Sequence, residues 1–215
     1  MIDFAQARKT MVDNQVVTSS ITDRRLLAAM RRIPRERFVP AAVRDLAYID
    51  RDVPLGQGRV LSAPAPFAQL VQLAAITVDD KVLDVGSGSG YSTAVLAALS
   101  KQTVALETDA GLAKDARENL AAEAVGNALV VSGQLQAAAE APFDVVVVEG
   151  VIEAPSPQLL TLLREGGRLV ALIGSANAPS VAQIFIKEAG SLTGQANFDA
   201  LRRTPGKPAD EAFVF

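Results

Sequence analysis

Between residues 82 and 107 the residue types and their spacing describe a place to hold a ligand. Val82-Leu83-Asp84-Val85 runs directly into Gly86-Ser87-Gly88-Ser89-Gly90, and a helical pattern begins near Tyr91. Glycines let a chain turn sharply and let a ligand touch the backbone, while a helix N-terminus presents free N–H groups to an acceptor. The loop gains weight from its context, at the end of the first parallel strand of an α/β unit, on the carboxyl edge where open sheets take ligands. Glu107 ends the next strand, 17 residues after Gly90, where a carboxylate accepts hydrogen bonds from both hydroxyls of a ribose. A dinucleotide fingerprint wants a third glycine at position 91, and Tyr91 stands there. The pattern therefore favours an adenosine ligand without a pyrophosphate. Asp84, two residues before Gly86, suits the cationic amino group of a methionine moiety. The plainer readings are that Asp84 caps the glycine loop and that Glu107 is a solvated strand end.

These residues need a parallel sheet to position them. Short Val-rich segments at 82–86, 103–107, 128–132, 144–148 and 167–174 alternate with helical patterns at 91–100, 109–124 and 157–164. Continuous apolar strands separated by helices are what a sheet buried on both faces requires. The expected fold is α/β, a doubly wound and mostly parallel sheet. Residues 1–60 are expected to form a helical and loop appendage, and 61–215 the ligand-binding domain, in one compact unit. Leu26, Leu27, Met30 and Ile33 fall at helical spacing, and Pro34 marks a break. The stretch 52–66, rich in Pro, Gly and Ser, reads as loop before a helix at 66–75. Beyond Gly174 the pattern weakens; 181–188 reads as one more strand and 212–215 as another, antiparallel.

Composition removes several classes of chemistry. The chain has no Cys and no His, so disulfides, thiolate nucleophiles, zinc-cysteine sites and the commonest general base are absent. No metal site is expected. A net charge of −3 argues against broad nucleic-acid binding. No apolar run approaches the roughly 20 residues of a membrane span, and MIDFAQARKT lacks the apolar stretch of a signal peptide. A cytoplasmic protein with no membrane or nucleic-acid partner is expected. Arg24, Arg25, Arg31, Arg32, Arg35 and Arg37 crowd one segment and read as a solvated helix side paired with Asp23 and Glu36, with an anion-binding face as the alternative.

The order VLDVGSGSGY, an acidic strand end, then FDVVVVEG resembles the class I S-adenosylmethionine-dependent methyltransferases, with a Rossmann-like sheet. AMRRIPRERFVP at 29–40, AYIDRDVPLGQG at 47–58 and VLSAPAPFAQL at 60–70 are similar to segments of protein-L-isoaspartate O-methyltransferases. The resemblance covers roughly residues 10–174, and its N-terminal segments are the most specific part. It implies S-adenosylmethionine as cofactor and S-adenosylhomocysteine as product, held by Asp84, Gly86, Ser87, Gly88, Ser89, Gly90, Glu107 and Gln134. It implies Ser62 as the active-site serine and an isoaspartyl-containing protein or peptide as substrate. The residue-level alternative for Ser62 is a helix N-cap ahead of prolines.

The chain departs from that family's pattern on one side, as a divergent member. The family's G-D-G after the third strand, whose Asp binds the adenine amine, reads Gly133-Gln134-Leu135 here. After the fourth strand, T-A-A or G-A-A becomes Glu149-Gly150-Val151, and an added carboxylate there repels an anionic acceptor. The Q-L of the next helix reads Leu162-Leu163, and the P-V-G closing the fifth strand reads Leu172-Ile173-Gly174. Two alternatives follow: a methyltransferase of another acceptor, or a non-catalytic cofactor-binding module. Base methylation is disfavoured by the lack of an N/D-P-P-Y/F motif, and a nicotinamide enzyme by Tyr91.

Overall fold

The structure, a computed structural model, describes residues 2–175 and 180–200. Its centre is a seven-stranded sheet made of β3 (Lys81–Val85), β4 (Gln102–Glu107), β5 (Ala128–Ser132), β6 (Phe143–Ile152), β7 (Leu163–Ile173), β8 (Ser180–Glu188) and β9 (Ser191–Ala200). The order is β5-β4-β3-β6-β7-β8-β9. The first five pair in parallel, whereas β8 and β9 pair antiparallel. Chain direction across the sheet reverses between β3 and β6, and the crevice at such a switch point is where open α/β sheets bind ligands.

Residue alternation along each strand feeds two cores. Val82, Val145, Val147, Val170 and Leu172 join one face, together with α3 (Pro64–Leu73), α4 (Tyr91–Ala97) and the N-terminal segments. Leu83, Val85, Val104, Leu106, Val146, Val148 and Leu169 join the other. Burial of a single Val or Leu side chain is worth about 1.5–3 kcal/mol, so the doubly covered strands fix the sheet before any ligand is considered. The remaining helices, α5 (Ala110–Ala122) and α6 (Pro157–Leu162), lie near the sequence expectations. Asp109 caps α5 by accepting from Leu112 N at 2.8 Å, which sets where the chain leaves β4.

The N-terminal region is helical, as expected. Asp3 and Asp23 cap α1 (Phe4–Met11) and α2 (Arg24–Arg32). Ile33, held extended ahead of Pro34, ends α2. Residues 4–50 share the core of the sheet face that carries α3 and α4.

Two expectations need correction, and one falls outside the described residues. The 52–66 stretch is not simply loop: β1 (Val53–Gly56) and β2 (Arg59–Leu61) form an antiparallel hairpin, and α3 begins at Pro64. Gln57 (φ 51°) and Gly58 (φ 72°) both take the left-handed conformation, the twist a two-residue hairpin turn needs. The polar strand β9 follows β8; the expected strand at 212–215 lies outside the described residues. The arginine segment is not one solvated face either. Asp23 is spent on the α2 cap, and Arg35 is wholly buried.

The burial of Arg35 has a structural reason. Its Nε donates to the Ala47 carbonyl at 2.7 Å and its Nη2 to the Ser62 carbonyl, while the guanidinium lies 4.8 Å from the centre of the Tyr91 ring. Tyr91 also meets Phe38 and Phe67, each at 5.7 Å between ring centres. One cation thus joins the appendage, the approach to Ser62 and the first residue of α4. Burial pulls the guanidinium pKa down, and the neighbouring Tyr91 works the other way.

Candidate active site

The glycine loop is shaped from its backbone. Gly86 (φ 80°), Gly88 (φ 55°) and Gly90 (φ 96°) all lie in the left-handed region. A Cβ on Gly88 would stand 2.9 Å from Leu55 of the hairpin, and one on Gly90 would stand 3.2 Å from the Ala116 backbone in α5. Gly90 therefore serves helix packing, while Gly86 and Gly88 let Arg59 and Leu55 of the hairpin lie directly against the loop. Ser89 faces away from the crevice, donating to the Phe38 carbonyl. Ser87 Oγ is buried and has no hydrogen-bond partner among the described residues.

Asp84 lies beneath the loop, fully buried. One carboxyl oxygen accepts from the Ser92 and Thr93 hydroxyls, each at 2.7 Å, so Asp84 braces the first turn of α4 and makes no cap to the glycine loop. The other oxygen, Oδ1, is buried without a hydrogen-bond partner among the described residues. Burial pushes the Asp84 carboxyl up to about 6; the two hydroxyls pull it down, and the nearby Glu107 charge adds to the rise.

Glu107 is fully buried as well, not a solvated strand end. Its Oε2 accepts from Gly88 N at 2.7 Å, and its Oε1 from Asp109 N at 3.1 Å and from Arg59 Nη1 at 2.8 Å. Gly133 N donates to the Glu107 carbonyl at 2.9 Å, which ties the turn after β5 to the same edge. Gln134 stands exposed on that turn, at the rim of the crevice.

The opposite side of the crevice is built from β2 and β6. Ser62 follows β2 directly and is 7% exposed. The N-cap of α3 is Ala63, without a side-chain cap bond, so Ser62 is not serving as the cap. Its hydroxyl donates to Glu149 Oε2 at a long 3.4 Å. Glu149 reaches this point because β6 bulges: Val147 pairs with Val170 and Val151 with Leu172, so four steps along β6 oppose two along β7. Gly150 (φ 112°) lets the backbone make that excursion. The structure thus brings together two residues that the sequence offered separately.

Arg59 is the residue sequence reasoning missed. It stands at the start of β2, and besides Glu107 it contacts the Gly86 carbonyl, its Nη2 donating at 2.8 Å. A lone charge three residues ahead of a candidate serine, in a stretch of Gly and apolar residues, was the available signal.

An orphaned carboxylate oxygen, an orphaned hydroxyl, a bare glycine backbone and a buried acceptor at the next strand end suit a nucleoside carrying an amino-acid chain. Fold and site together define a Rossmann-like α/β protein of the methyltransferase type. The family model for protein-L-isoaspartate(D-aspartate) O-methyltransferase matches residues 6–201. The chain is 40% identical over 177 residues to protein-L-isoaspartate O-methyltransferase 1 of Syntrophobacter fumaroxidans, covering 81% of this chain and 82% of that one. It is likewise 40% identical over 184 residues to the Methanoculleus marisnigri protein of the same name, covering 84% and 83%. A solved protein-L-isoaspartate O-methyltransferase superposes with a TM-score of 0.80 at 22% identity, over 93% of this chain and 66% of that longer one. A Plasmodium falciparum structure bearing the same enzyme name, in complex with S-adenosyl-L-homocysteine, gives 0.75 at 22% identity, over 91% and 98%. The chain belongs to the protein-L-isoaspartate O-methyltransferase family.

Proposed function

We propose that this protein is a working protein-L-isoaspartate O-methyltransferase, which takes S-adenosylmethionine along the 86–90 loop and Glu107 and methylates the free carboxylate of isoaspartyl residues in proteins or peptides. The observation that carries the reading is the meeting of Glu107, the glycine loop and Ser62 at one switch point. When bound, the cofactor supplies a methyl carbon on a cationic sulfur; the carboxylate oxygen bonds to that carbon and the sulfur keeps the electron pair, so no proton moves. An acceptor carboxyl with a reference pKa near 4 is already ionised at neutral pH, and a chain without His or Cys needs no general base for it.

The remaining work is orientation, which can lower a barrier by several kcal/mol. Glu107 would receive the ribose hydroxyls, Asp84 Oδ1 and Ser87 Oγ would hold the amino-acid end, and Gln134 would border the adenine. Ser62 turns its hydroxyl from Glu149 to the incoming carboxylate. Among the described residues no helix is long and apolar enough to cross a membrane.

The test is transfer of a labelled methyl group to an isoaspartyl peptide and to its aspartyl twin. Only the isoaspartyl peptide is expected to accept it. Ser62→Ala should lower kcat/KM about tenfold, roughly 1.4 kcal/mol, with affinity for S-adenosylhomocysteine within about twofold of wild type. Cofactor binding with both peptides inert would leave Glu149 beside Ser62 as the mark of a different acceptor.

A further inference from the structure

Arg59 holds the two groups that the proposed cofactor site most needs. Its guanidinium fork reaches Glu107 Oε1 with one nitrogen and the Gly86 carbonyl with the other, both at 2.8 Å, and its side chain is 17% exposed. A carboxylate oxygen offers about two lone-pair sites. Oε1 already accepts from Asp109 N as well as Arg59, and Thr108 Oγ1 approaches at 3.4 Å, while Oε2 accepts from Gly88 N. Oε2 keeps one site for the first ribose hydroxyl, and the second hydroxyl gains Oε1 by taking the place of Arg59, its side-chain donor at 2.8 Å.

The displaced guanidinium has a short way to travel. Arg59 Nη2 lies 3.0 Å from the point where a Gly86 Cβ would sit, and Glu149 Cβ lies 3.7 Å from that same point. Glu149 in turn meets Ser62, three residues beyond Arg59 in the same segment. The acceptor corner therefore holds a carboxylate that opposes an anionic substrate, with a cation within side-chain reach that offsets it. A guanidinium can bind a carboxylate through two parallel charge-assisted hydrogen bonds, roughly twice as strong as neutral ones and fixed in geometry.

Resting on the methyltransferase reading, we infer that Arg59 is a specificity-determining residue that passes from Glu107 to the substrate carboxylate when the ribose of the cofactor takes Glu107. The carboxylate receptor is then complete only in the cofactor-bound protein. Binding is ordered, with cofactor first, and Arg59 serves the acceptor rather than the cofactor.

The experiment compares wild type, Arg59→Gln and Arg59→Lys in the full chain. Calorimetry measures S-adenosylhomocysteine binding, and steady-state assays with saturating S-adenosylmethionine measure KM and kcat for an isoaspartyl peptide. Arg59→Gln should bind S-adenosylhomocysteine as tightly as wild type or up to about tenfold more tightly, because a competitor for Glu107 is gone. Its KM for the peptide should rise about tenfold or more with kcat within about threefold, and Arg59→Lys should recover part of that KM. Wild-type protein should bind the peptide at least about tenfold more tightly with S-adenosylhomocysteine present than without it. Tenfold weaker cofactor binding in Arg59→Gln, or an unchanged peptide KM, would overturn the role given to Arg59 while leaving the enzyme reading standing. Wild-type protein that binds no S-adenosylhomocysteine would bring down both.

Discussion

Glu107 and Glu149 are carboxylates at the carboxyl edge of one sheet, two strands apart, and they are held in opposite ways. Glu107 is fully buried and collects donors from Gly88 N, Asp109 N and Arg59. Two of these donors are backbone groups whose positions follow from the loop after β3 and the cap of α5. Glu149 is half-buried, rides on a bulge in β6, and accepts from the Ser62 hydroxyl at 3.4 Å. The cofactor side is fixed by main chain, and the acceptor side by side chains from separate segments. Backbone donors are dictated by fold, so the first side is rigid before any ligand arrives; the second can rearrange at little expense.

The largest expected effect concerns the charge under the loop. Asp84 has a folded pKa of about 6 against 3.8 for the free group, so the native protein binds more protons than the unfolded chain between those values. The stability this group contributes is therefore full below pH 4 and lost as pH rises through 6, by up to about 3 kcal/mol. Asp84→Asn should remove that loss: urea unfolding at pH 4.5 and 7.5 should show a much smaller decline for the variant. Parallel pH dependence in the two proteins would mean that the cofactor side carries no such stored charge.

Next in size is Glu107→Ala, which should weaken S-adenosylhomocysteine binding by about 1–3 kcal/mol in a calorimetric titration, the range for bonds to a charged acceptor. Unchanged affinity would erase the contrast with Glu149. The smallest effect is expected at the rim. Gln134 is exposed, so Gln134→Asp, which offers the adenine amine a stronger acceptor, should improve affinity by no more than about 1 kcal/mol. A large loss there would place the adenine elsewhere.

The same contrast explains what could be read from the residues alone. Runs such as Val145-Val146-Val147-Val148 are buried on both faces and announce themselves, and the loop after β3 follows from its glycines. Ser62 and Glu149 were legible through family resemblance, while their contact depends on a bulge that no local pattern encodes. The β1–β2 hairpin was missed because Pro54, Gly56 and Gly58 break its alternation, and β9 because Ser191, Thr193, Gly194, Gln195 and Asn197 look like loop. Arg35 and Arg59 were hidden for a different reason. A charged residue in sequence reads as solvated by default, and only tertiary partners such as the Tyr91 ring or Glu107 reverse that reading.

The bulge at the end of β6 also bears on how such an enzyme changes over generations. The ladder resumes at Val151↔Leu172 after its excursion, so residues 148–150 sit outside the pairing that holds β6 to β7. An exchange at position 149 leaves strand register untouched and draws little from the margin of a few kcal/mol that keeps a domain folded. Selection for a new acceptor can therefore act on this corner while the sheet stays as it is, which makes position 149 a low-risk place for sequence drift.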